Sequence, residues 1–202
     1  MLFRSYRSSE TIDRLVTRLE HLEYPEPWQV IFVDDGSPDN SFSMLQQRLK
    51  RSPLDALLIR HTRNYGEHQA VLTGYRHAVG DYFINIDDDL QNPPEEALRL
   101  LEYAKTNDLD VVYGNYIEKK HSILRNIGSA FANYTARLLL DLPETFYLSS
   151  FRCISRLIGE KITIIQSPYV YIDGLLSQAT NRIGSLDVMH DPRDAEIGRA
   201  HV

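Results

Sequence analysis

The sequence predicts an α/β domain in which a mainly parallel sheet is flanked by helices on both faces. Apolar runs of strand length alternate with segments whose apolar residues have helical spacing, which is typical of this fold class. Two of the runs, 29–33 and 82–86, lead directly into aspartates at 34–35 and 87–89. Ligands of such sheets bind beyond the carboxyl ends of the strands, so these aspartates indicate the site.

The individual elements follow from capping residues and apolar spacing. Ser9 caps a first helix over 10–21. The stretch 2–6 in front of it is too short and too interrupted to predict a secure first strand. Pro94 suits the first turn of a helix. The other predicted strands cover 29–33, 54–60, 82–87 and 110–113, and the other predicted helices cover 40–50, 66–78 and 94–105.

The composition limits the size and the class of the protein. With 202 residues and 43% apolar content, the chain is predicted to form one domain over 1–196. The net charge of −6 argues against a nucleic-acid partner. The single cysteine, Cys153, excludes an internal disulfide framework and a cysteine-rich zinc site, and it fits a reducing compartment. No apolar run reaches the roughly 18 residues that a membrane-spanning helix needs.

Both ends of the sequence read as truncated. The chain enters the candidate first strand almost at once. The residues 197–202 are what one reading frame of a widely used sequencing-library adapter encodes. We therefore expect 197–202 to be a non-native tail.

The aspartates at 87–89 are the residue type of a hard-metal site. If strand geometry continues, Asp87 and Asp89 lie on one side of the chain and Asp88 on the other. One or two carboxylates plus substrate phosphates commonly hold Mg²⁺ or Mn²⁺ in nucleotide chemistry. The alternative is a solvated acidic loop. Two acidic strand ends at one edge of the sheet favour the metal site over that alternative.

The loop at 63–69 precedes a predicted helix and is a second candidate for the same ligand. Arg63 and the backbone amides near Gly66 are placed to address phosphates. An ordinary loop with a glycine turn is the alternative.

Three motifs carry a family resemblance: VDDGSPDNS at 33–41, RNYGEHQAVLTGYRHAVGDY at 63–82 and INIDDDLQNPPE at 84–95. In order and spacing they resemble the family 2 glycosyltransferases, and within these the polyprenyl-phosphate glycosyltransferases that include dolichyl-phosphate mannose synthase. The resemblance covers about 2–193. It implies a GT-A fold with a Rossmann-like sheet, a UDP- or GDP-sugar donor, Mg²⁺ or Mn²⁺, and inversion at the anomeric carbon.

The resemblance also implies roles at the donor site. Asp35 is expected to contact the nucleobase or ribose, and Asp89 to bind the metal that bridges the diphosphate. Gln91 is expected near the donor sugar, and Tyr6 is the one residue of 4–8 that matches the relatives' first motif. The predicted catalytic residues are Asp87, Asp89 and Gln91, the metal ligands are Asp87 and Asp89, and the donor-binding residues are Tyr6, Asp35, Arg63, Gly66, Asp87 and Asp88.

On the acceptor side the resemblance implies residues that bind the phosphate group of the acceptor. Arg125 and Ser129 match a basic Arg-x-x-x-Ser stretch, for which a solvated helix face is the alternative, and Arg193 matches a late His-x-x-Arg. Ser149, Ser150 and Arg152 are predicted to donate to the same phosphate. A strand that packs its apolar residue in the core explains that segment nearly as well.

The acidic pair that acts as a base in relatives that glycosylate hydroxyls does not occur in this sequence. A hydroxyl needs a general base, whereas a lipid phosphate is already an anion, so a polyprenyl phosphate acceptor is favoured. Transfer to a saccharide hydroxyl and a non-catalytic nucleotide-sugar binding module stay open as alternatives.

The same resemblance implies a cytoplasmic protein at the surface of the inner membrane, in cell envelope biosynthesis. The relatives often continue into C-terminal amphipathic or membrane-spanning helices, so we expect an anchor of this kind in a full-length protein. Homo-oligomer formation is left open.

Overall fold

A single mixed sheet organises the protein. The computed structural model describes residues 1–116, 148–167 and 169–191, and all element counts refer to these ranges. The seven strands are β1 (Leu2–Ser5), β2 (Val30–Asp34), β3 (Ala56–Arg60), β4 (Tyr82–Asp87), β5 (Val111–Tyr116), β6 (Arg152–Ser155) and β7 (Ile183–Val188). The six helices are α1 (Ile12–Glu20), α2 (Ser41–Leu49), α3 (Glu67–His77), α4 (Pro94–Thr106), α5 (Arg156–Thr163) and α6 (Ile172–Ala179).

The strand order is β3-β2-β1-β4-β6-β5-β7. Strand β6 runs antiparallel to both of its neighbours, β4 and β5, and the other pairings are parallel. The predicted α/β class with a mainly parallel sheet is therefore confirmed. Because β1, β2 and β4 are adjacent and parallel, their carboxyl ends meet at one edge of the sheet.

Alternating side chains divide the core into two layers. On β1, Phe3 packs with α1, α2 and α4 on one face of the sheet, whereas Leu2 packs with α3, α5 and α6 on the other. Strands β2, β4 and β5 alternate in the same way. Successive apolar residues of each strand thus pack against helices on opposite faces of the sheet, so both faces are buried.

The structure corrects the expectation that no secure strand precedes the first helix. β1 is a central strand, paired with β2 over Leu2–Ser5 and with β4 over 2–4. Its polar residue Ser5 is buried along with Leu2 and Phe3. Its neighbours supply the hydrogen bonds and the cover that make so short a run a strand, and propensity alone did not reveal this.

The other predicted elements lie within about two residues of the observed ones, which is the usual uncertainty of helix and strand ends. Gly66 precedes α3 with φ 92° and ψ 164°, a region that is essentially restricted to glycine. Pro94 occupies the first turn of α4, with Glu95 and Glu96 near the positive end of the helix dipole.

No helix in the described ranges is both long enough and apolar enough to cross a membrane.

Two buried features of β6 stabilise the centre of the sheet. Cys153 is fully buried between β4 and β5, and burial raises the pKa of its thiol to about 12. Arg152, only 1% exposed, forms an ion pair with Asp173 in the first turn of α6. Asp173 also accepts a hydrogen bond from the hydroxyl of Tyr113 on β5, at 2.9 Å. This cluster joins β5, β6 and α6.

Asp173→Ala is expected to lower the free energy of unfolding by about 3–5 kcal/mol, because the guanidinium of Arg152 would remain buried without its counter-ion. Urea unfolding followed by circular dichroism measures the change. The matched control is Glu26→Ala, which removes an exposed partner of Lys105 and should change stability by less than about 1 kcal/mol. Equal losses in the two variants would contradict this role of the buried pair.

Candidate donor and metal site at the carboxyl edge

The two acidic motifs lie on either side of the end of β1. In the register, Ser5 of β1 is level with Asp34 of β2, and Arg4 is level with Asp87 of β4. We call this region, with the aspartates at 34–35 and 87–89, the acidic edge. The structure thus brings together the aspartates that the sequence predicted to share one crevice.

Asp35 is buried and bound on all sides by protein donors. Its Oδ2 accepts hydrogen bonds from Arg4 Nε and Nη2 at 3.2 and 3.1 Å and from the Gly66 amide at 3.1 Å. Its Oδ1 is 3.0 Å from His61 Nδ1 and accepts from the Tyr65 amide at 2.8 Å. Burial alone would raise the pKa of this carboxyl, but the bonds from Tyr65, His61 and Arg4 outweigh it and leave the pKa below 3.8.

These contacts give Asp35 a structural task in the free protein. A carboxylate offers about four lone-pair sites, and the five protein contacts already use them. A direct contact from Asp35 to a nucleobase or ribose stays a prediction, and it requires a protein donor such as Arg4 to give up its bond. Neither Arg4 nor this closed arrangement was predicted from the sequence.

The glycines of the two loop motifs allow their backbones to touch. Gly36 has φ 68°, and a Cβ built on it would lie 2.4 Å from the backbone carbon of Arg63. The loop after β2 therefore packs directly on the loop after β3. The guanidinium of Arg63 lies 4.7 Å from the centre of the Tyr65 ring and is exposed at the rim. Its predicted phosphate contact is compatible with that position and stays a prediction.

The aspartates at 87–89 have partners on different elements. Asp87 accepts a hydrogen bond from the hydroxyl of Ser150, and Asp88 accepts one from the hydroxyl of Ser8, near the start of α1. Asp89 accepts from the backbone amide of Gln91 at 3.1 Å. β4 ends at Asp87, so strand geometry does not continue through Asp88 and Asp89, and the placement of Asp87 and Asp89 on one side stays a prediction.

Burial and the repulsion of neighbouring carboxylates raise the pKa of both Asp87 and Asp88. Burial raises the pKa of Asp87, and the charges of Glu67 and Asp89 raise it further against the bond from Ser150. Burial also raises the pKa of Asp88 to about 7, with Asp87 and Asp89 adding to the effect against the bond from Ser8. A cation at this edge would stabilise the ionised carboxylates.

Leu90 turns the chain between Asp89 and Gln91. It is buried and has φ 63°, a left-handed conformation that costs a residue with a Cβ about 1–2 kcal/mol. No glycine marks this turn, so the sequence offered no signal for it. The backbone carbonyl of Gln91 accepts a bond from the Asp191 amide at 2.8 Å, while its side chain is half-buried at the edge.

The donor set fits a cation that is only partly coordinated by protein. Within the described ranges, no group of three or more His, Cys, Asp or Glu side chains is placed to hold a metal ion by itself. Hard carboxylate oxygens from Asp87 and Asp89, completed by the oxygens of a bound diphosphate, match what Mg²⁺ or Mn²⁺ requires. The metal-ligand roles of these two residues stay predictions.

Tyr6 directly follows β1 at the same edge and is flanked by two guanidinium groups. Arg4 and Arg7 lie 5.7 and 5.5 Å from the centre of its ring. Ser8 follows two residues later and binds Asp88. No sequence motif marks Arg4 or Ser8, because their positions depend on the sheet order that places β1 between the two acidic strands.

The structure bears differently on the individual predictions for the acceptor residues. Ser149 is buried and donates to backbone carbonyls of Gly114 and Phe151 at 2.8 and 2.9 Å, and Arg152 is buried against Asp173. Neither side chain is free to meet a phosphate in this arrangement, so the structure corrects these two assignments. The alternative, a strand segment with a buried Phe151, is the one that the structure contains. Arg125, Ser129 and Arg193, with Lys119 and Lys120, lie outside the described residues.

Ser150 contributes to the acidic edge instead. Its hydroxyl donates to Asp87, and its backbone carbonyl accepts a 2.6 Å bond from the amide of Asn85 on β4. It is therefore held firmly beside the carboxylate. A cavity of about 630 Å³, lined by Trp28, Tyr82 and Lys105 among others, lies at the opposite edge of the sheet.

The fold and this edge define an α/β domain of the GT-A type, with its ligand site at the carboxyl ends of adjacent parallel strands. The chain belongs to Glycosyl transferase family 2, whose sequence profile matches residues 4–162. The family resemblance drawn from the three motifs is thus confirmed.

One similar relative is an undecaprenyl-phosphate 4-deoxy-4-formamido-L-arabinose transferase of Pectobacterium carotovorum subsp. carotovorum (strain PC1). It is 31% identical over 191 residues, which cover 94% of this chain and 58% of the relative. A Pseudomonas aeruginosa protein of the same description is 30% identical over 190 residues, 93% of this chain and 56% of its own length. The chain spans little more than half the length of the curated relatives that it matches.

A solved structure with the same fold is the mannosyltransferase PcManGT from Pyrobaculum calidifontis in complex with GDP-Man and Mn²⁺. It superposes with a TM-score of 0.70 at 16% identity, over 98% of this chain and 57% of that one. Glucosyl-3-phosphoglycerate synthase from Mycobacterium tuberculosis, in complex with Mn²⁺, UDP and glucosyl-3-phosphoglycerate, gives a TM-score of 0.66 at 16% identity, over 96% of this chain and 71% of that one. At this identity the likeness supports the fold alone.

Asp35→Asn is expected to lower stability by about 1.5–3 kcal/mol at pH 7, since the neutral amide cannot accept all the bonds to Asp35. The folded-state pKa of Asp35 is lowered, so the charged form stabilises the fold above pH 3.8, and this stabilisation disappears as pH falls through the folded-state pKa. The difference between wild type and variant should therefore shrink below about pH 4.

Urea unfolding of both proteins between pH 7 and pH 3 measures this difference. Other carboxyls titrate alike in the two proteins and cancel. Asp55→Asn, at an exposed position before β3, is the matched control and should show no such pH dependence. A difference that stays constant over the whole range would contradict the assigned role.

Proposed function

We propose that this chain is the catalytic domain of an inverting, metal-dependent transferase that moves a sugar from a UDP- or GDP-sugar to a polyprenyl phosphate. The observation that carries this is the acidic edge, where Asp87 ends β4 and Asp89 follows it, beside the loops after β1 and β2. The relatives named as undecaprenyl-phosphate transferases support the acceptor class, and the neighbours with bound UDP or GDP-Man and Mn²⁺ support the donor and the divalent metal.

Different residues of the acidic edge would bind the metal ion and the donor sugar. Asp89 and Asp87 would hold the cation, and Gln91, after the strained Leu90, would face the donor sugar and phosphates. When bound, Mg²⁺ or Mn²⁺ stabilises the negative charge that develops on the diphosphate leaving group. Asp35 binds the amides of Tyr65 and Gly66 and so keeps the loop at 63–66 closed on β1 and β2, with the exposed Arg63 at its rim.

The acceptor class follows from what the nearby carboxylates can do. Asp173 lies in the electrostatic neighbourhood of the site, since its partner Arg152 also acts on Asp87. Its bonds to Arg152 and Tyr113 occupy it, so it is poorly placed to remove a proton from a hydroxyl. A phosphate acceptor needs no such base. This favours the lipid phosphate over a saccharide hydroxyl.

A purely binding role is the remaining alternative. One reason for it, the interrupted first strand, is weakened because β1 is central in the sheet and supplies Arg4 to the site. We place the enzyme at the cytoplasmic face of the membrane that holds its lipid acceptor, as a peripheral domain.

Asp89→Ala is expected to abolish metal-dependent donor binding and to lower transfer on the order of a thousandfold, because a lost cation removes several kcal/mol of charge stabilisation. Isothermal titration of UDP and GDP, with and without Mn²⁺, measures binding and identifies the preferred base. Transfer of labelled sugar to a polyprenyl phosphate measures activity.

The control for this experiment is Asp81→Ala, an exposed aspartate just before the same strand, which should behave like wild type. Unchanged metal dependence in Asp89→Ala would remove this residue from the metal site. Donor binding by the wild type without turnover on any acceptor would favour the binding module.

Ser150→Ala is expected to weaken Mn²⁺-dependent donor binding by about tenfold or more, because Asp87 loses the hydroxyl that orients it. Ser150→Thr keeps a hydroxyl and should restore much of the affinity. The Mn²⁺ concentration that gives half-maximal UDP or GDP binding measures the effect. Ser155→Ala at the other end of β6 is the control, and an equal shift in that variant would argue against specific positioning of Asp87.

A further inference from the structure

The outer surface of α5 and of the loop that follows it exposes large apolar side chains. Leu157 is 68% exposed, Ile164 77%, Ile165 41% and Tyr169 91%. A single exposed apolar residue is ordinary on a protein surface, but four within 13 positions of one segment are not. We call this surface, together with Arg76 and Lys161, the α5 flank.

The apolar residues form a row because of the helix geometry. Ile158 and Ile162 turn the buried side of α5 towards the sheet. Leu157, Lys161 and Ile164 are spaced four and three positions apart, so they share the opposite, outer face. Ile165 and Tyr169 continue this surface along the chain. Glu160 is the one exposed acidic residue of α5.

Two basic side chains lie in the same surface. The guanidinium of Arg76, at the end of α3, approaches the backbone carbonyl of Thr163 at 3.4 Å, and Lys161 Nζ donates to the carbonyl of Ala179 at 3.0 Å. Both contacts are to neutral carbonyl groups, which leave the positive charges uncompensated. The flank thus combines exposed apolar area with positive charge, although the chain as a whole carries a net charge of −6.

A polar groove runs beside this row. It has a volume of about 490 Å³ and is lined by Gln69, Arg76, Gln166 and Ser167. The amide groups of Gln69 and Gln166 and the guanidinium of Arg76 can donate hydrogen bonds to phosphate oxygens, whereas the Ser167 hydroxyl already donates to the carbonyl of Tyr169 at 2.9 Å. A phospholipid headgroup could therefore enter the groove while the apolar row meets the acyl region.

The flank leads to the acidic edge. Gln69 in the first turns of α3 donates to the carbonyl of Ser167 at 2.8 Å, and the ring of Tyr171 packs edge-on against His68 at 5.5 Å. The residue before His68, Glu67, acts electrostatically on Asp87. A membrane surface in contact with the α5 flank would thus lie close to the acidic edge, where sugar transfer is proposed.

We propose that the α5 flank docks the domain onto an anionic phospholipid bilayer, with Ile164, Ile165 and Tyr169 inserted at the interface and Arg76 and Lys161 on the headgroups. Aliphatic and tyrosine side chains flanked by basic groups are the composition of interfacial membrane contacts. This inference rests on the proposed function, because a lipid acceptor is what makes docking useful. A protein partner would instead bind without need of anionic lipid.

The test is flotation of the purified chain with vesicles that contain phosphatidylcholine alone or with a quarter of phosphatidylglycerol, without donor and without polyprenyl phosphate. We expect the wild type to float with the anionic vesicles. The triple variant Ile164→Ser, Ile165→Ser, Tyr169→Ser should lower the partition coefficient by about tenfold or more. Arg76→Gln and Lys161→Gln should each lower it about fivefold, and only on anionic vesicles.

The matched controls are Met44→Ser and Arg51→Gln, at exposed positions in α2 and just after it, on the opposite face of the sheet. Circular dichroism verifies that every variant is folded. Equal binding by wild type and triple variant, equal losses in the controls, or no flotation of the wild type would each overturn the proposal.

A second measurement separates this inference from the proposed function. Transfer to a short-chain, water-soluble polyprenyl phosphate without vesicles depends on the acidic edge and not on docking. The triple variant should keep that activity while it loses flotation. If the wild type does not transfer sugar to the water-soluble acceptor, the proposed function is contradicted. The flotation assay would still test the membrane docking of the α5 flank.

Discussion

The buried carboxylate of Asp35 is the interaction on which the candidate site depends. It joins four parts of the chain that are distant in sequence: Arg4 at the end of β1, its own loop after β2, His61 after β3, and the amides that precede α3. A charged group without exposure is tolerated only where donors surround it, and here they do. The close contact of Gly36 with the loop at 63–66 is possible because this network draws the two loops together.

Most of the fold could be predicted because strong local patterns agree with the tertiary structure. The continuous apolar runs of β2 and β4 and Pro94 at the start of α4 placed these elements closely. β1 was missed because Arg4 and Ser5 interrupt a short run, and only the pairing with β2 and β4 reveals it as a strand. The insertion of antiparallel β6 between β4 and β5 depends on long-range pairing, for which local patterns carry no signal.

The site shows the same division between local chemistry and long-range placement. Carboxylates at strand ends are visible in sequence, so the cluster at 87–89 and its neighbour Asp35 could be found. The partners could not, because Ser8, Arg4 and Ser150 reach the aspartates only through the sheet order. Ser149 and Arg152 were assigned to a phosphate because their residue types suit one, whereas burial gives both side chains internal partners.

The burial of Cys153 has a practical consequence. It is the single cysteine of the chain and lies in the central antiparallel strand, with the pKa of its thiol raised to about 12 by burial. Thiol reagents attack the thiolate, so a folded molecule offers them almost no reactive form at neutral pH. Alkylation therefore reports only those molecules in which the packing around Cys153 has opened. The rate of alkylation would therefore measure how often the core opens around β6, the strand that pairs with β4 and thus lies next to the acidic edge.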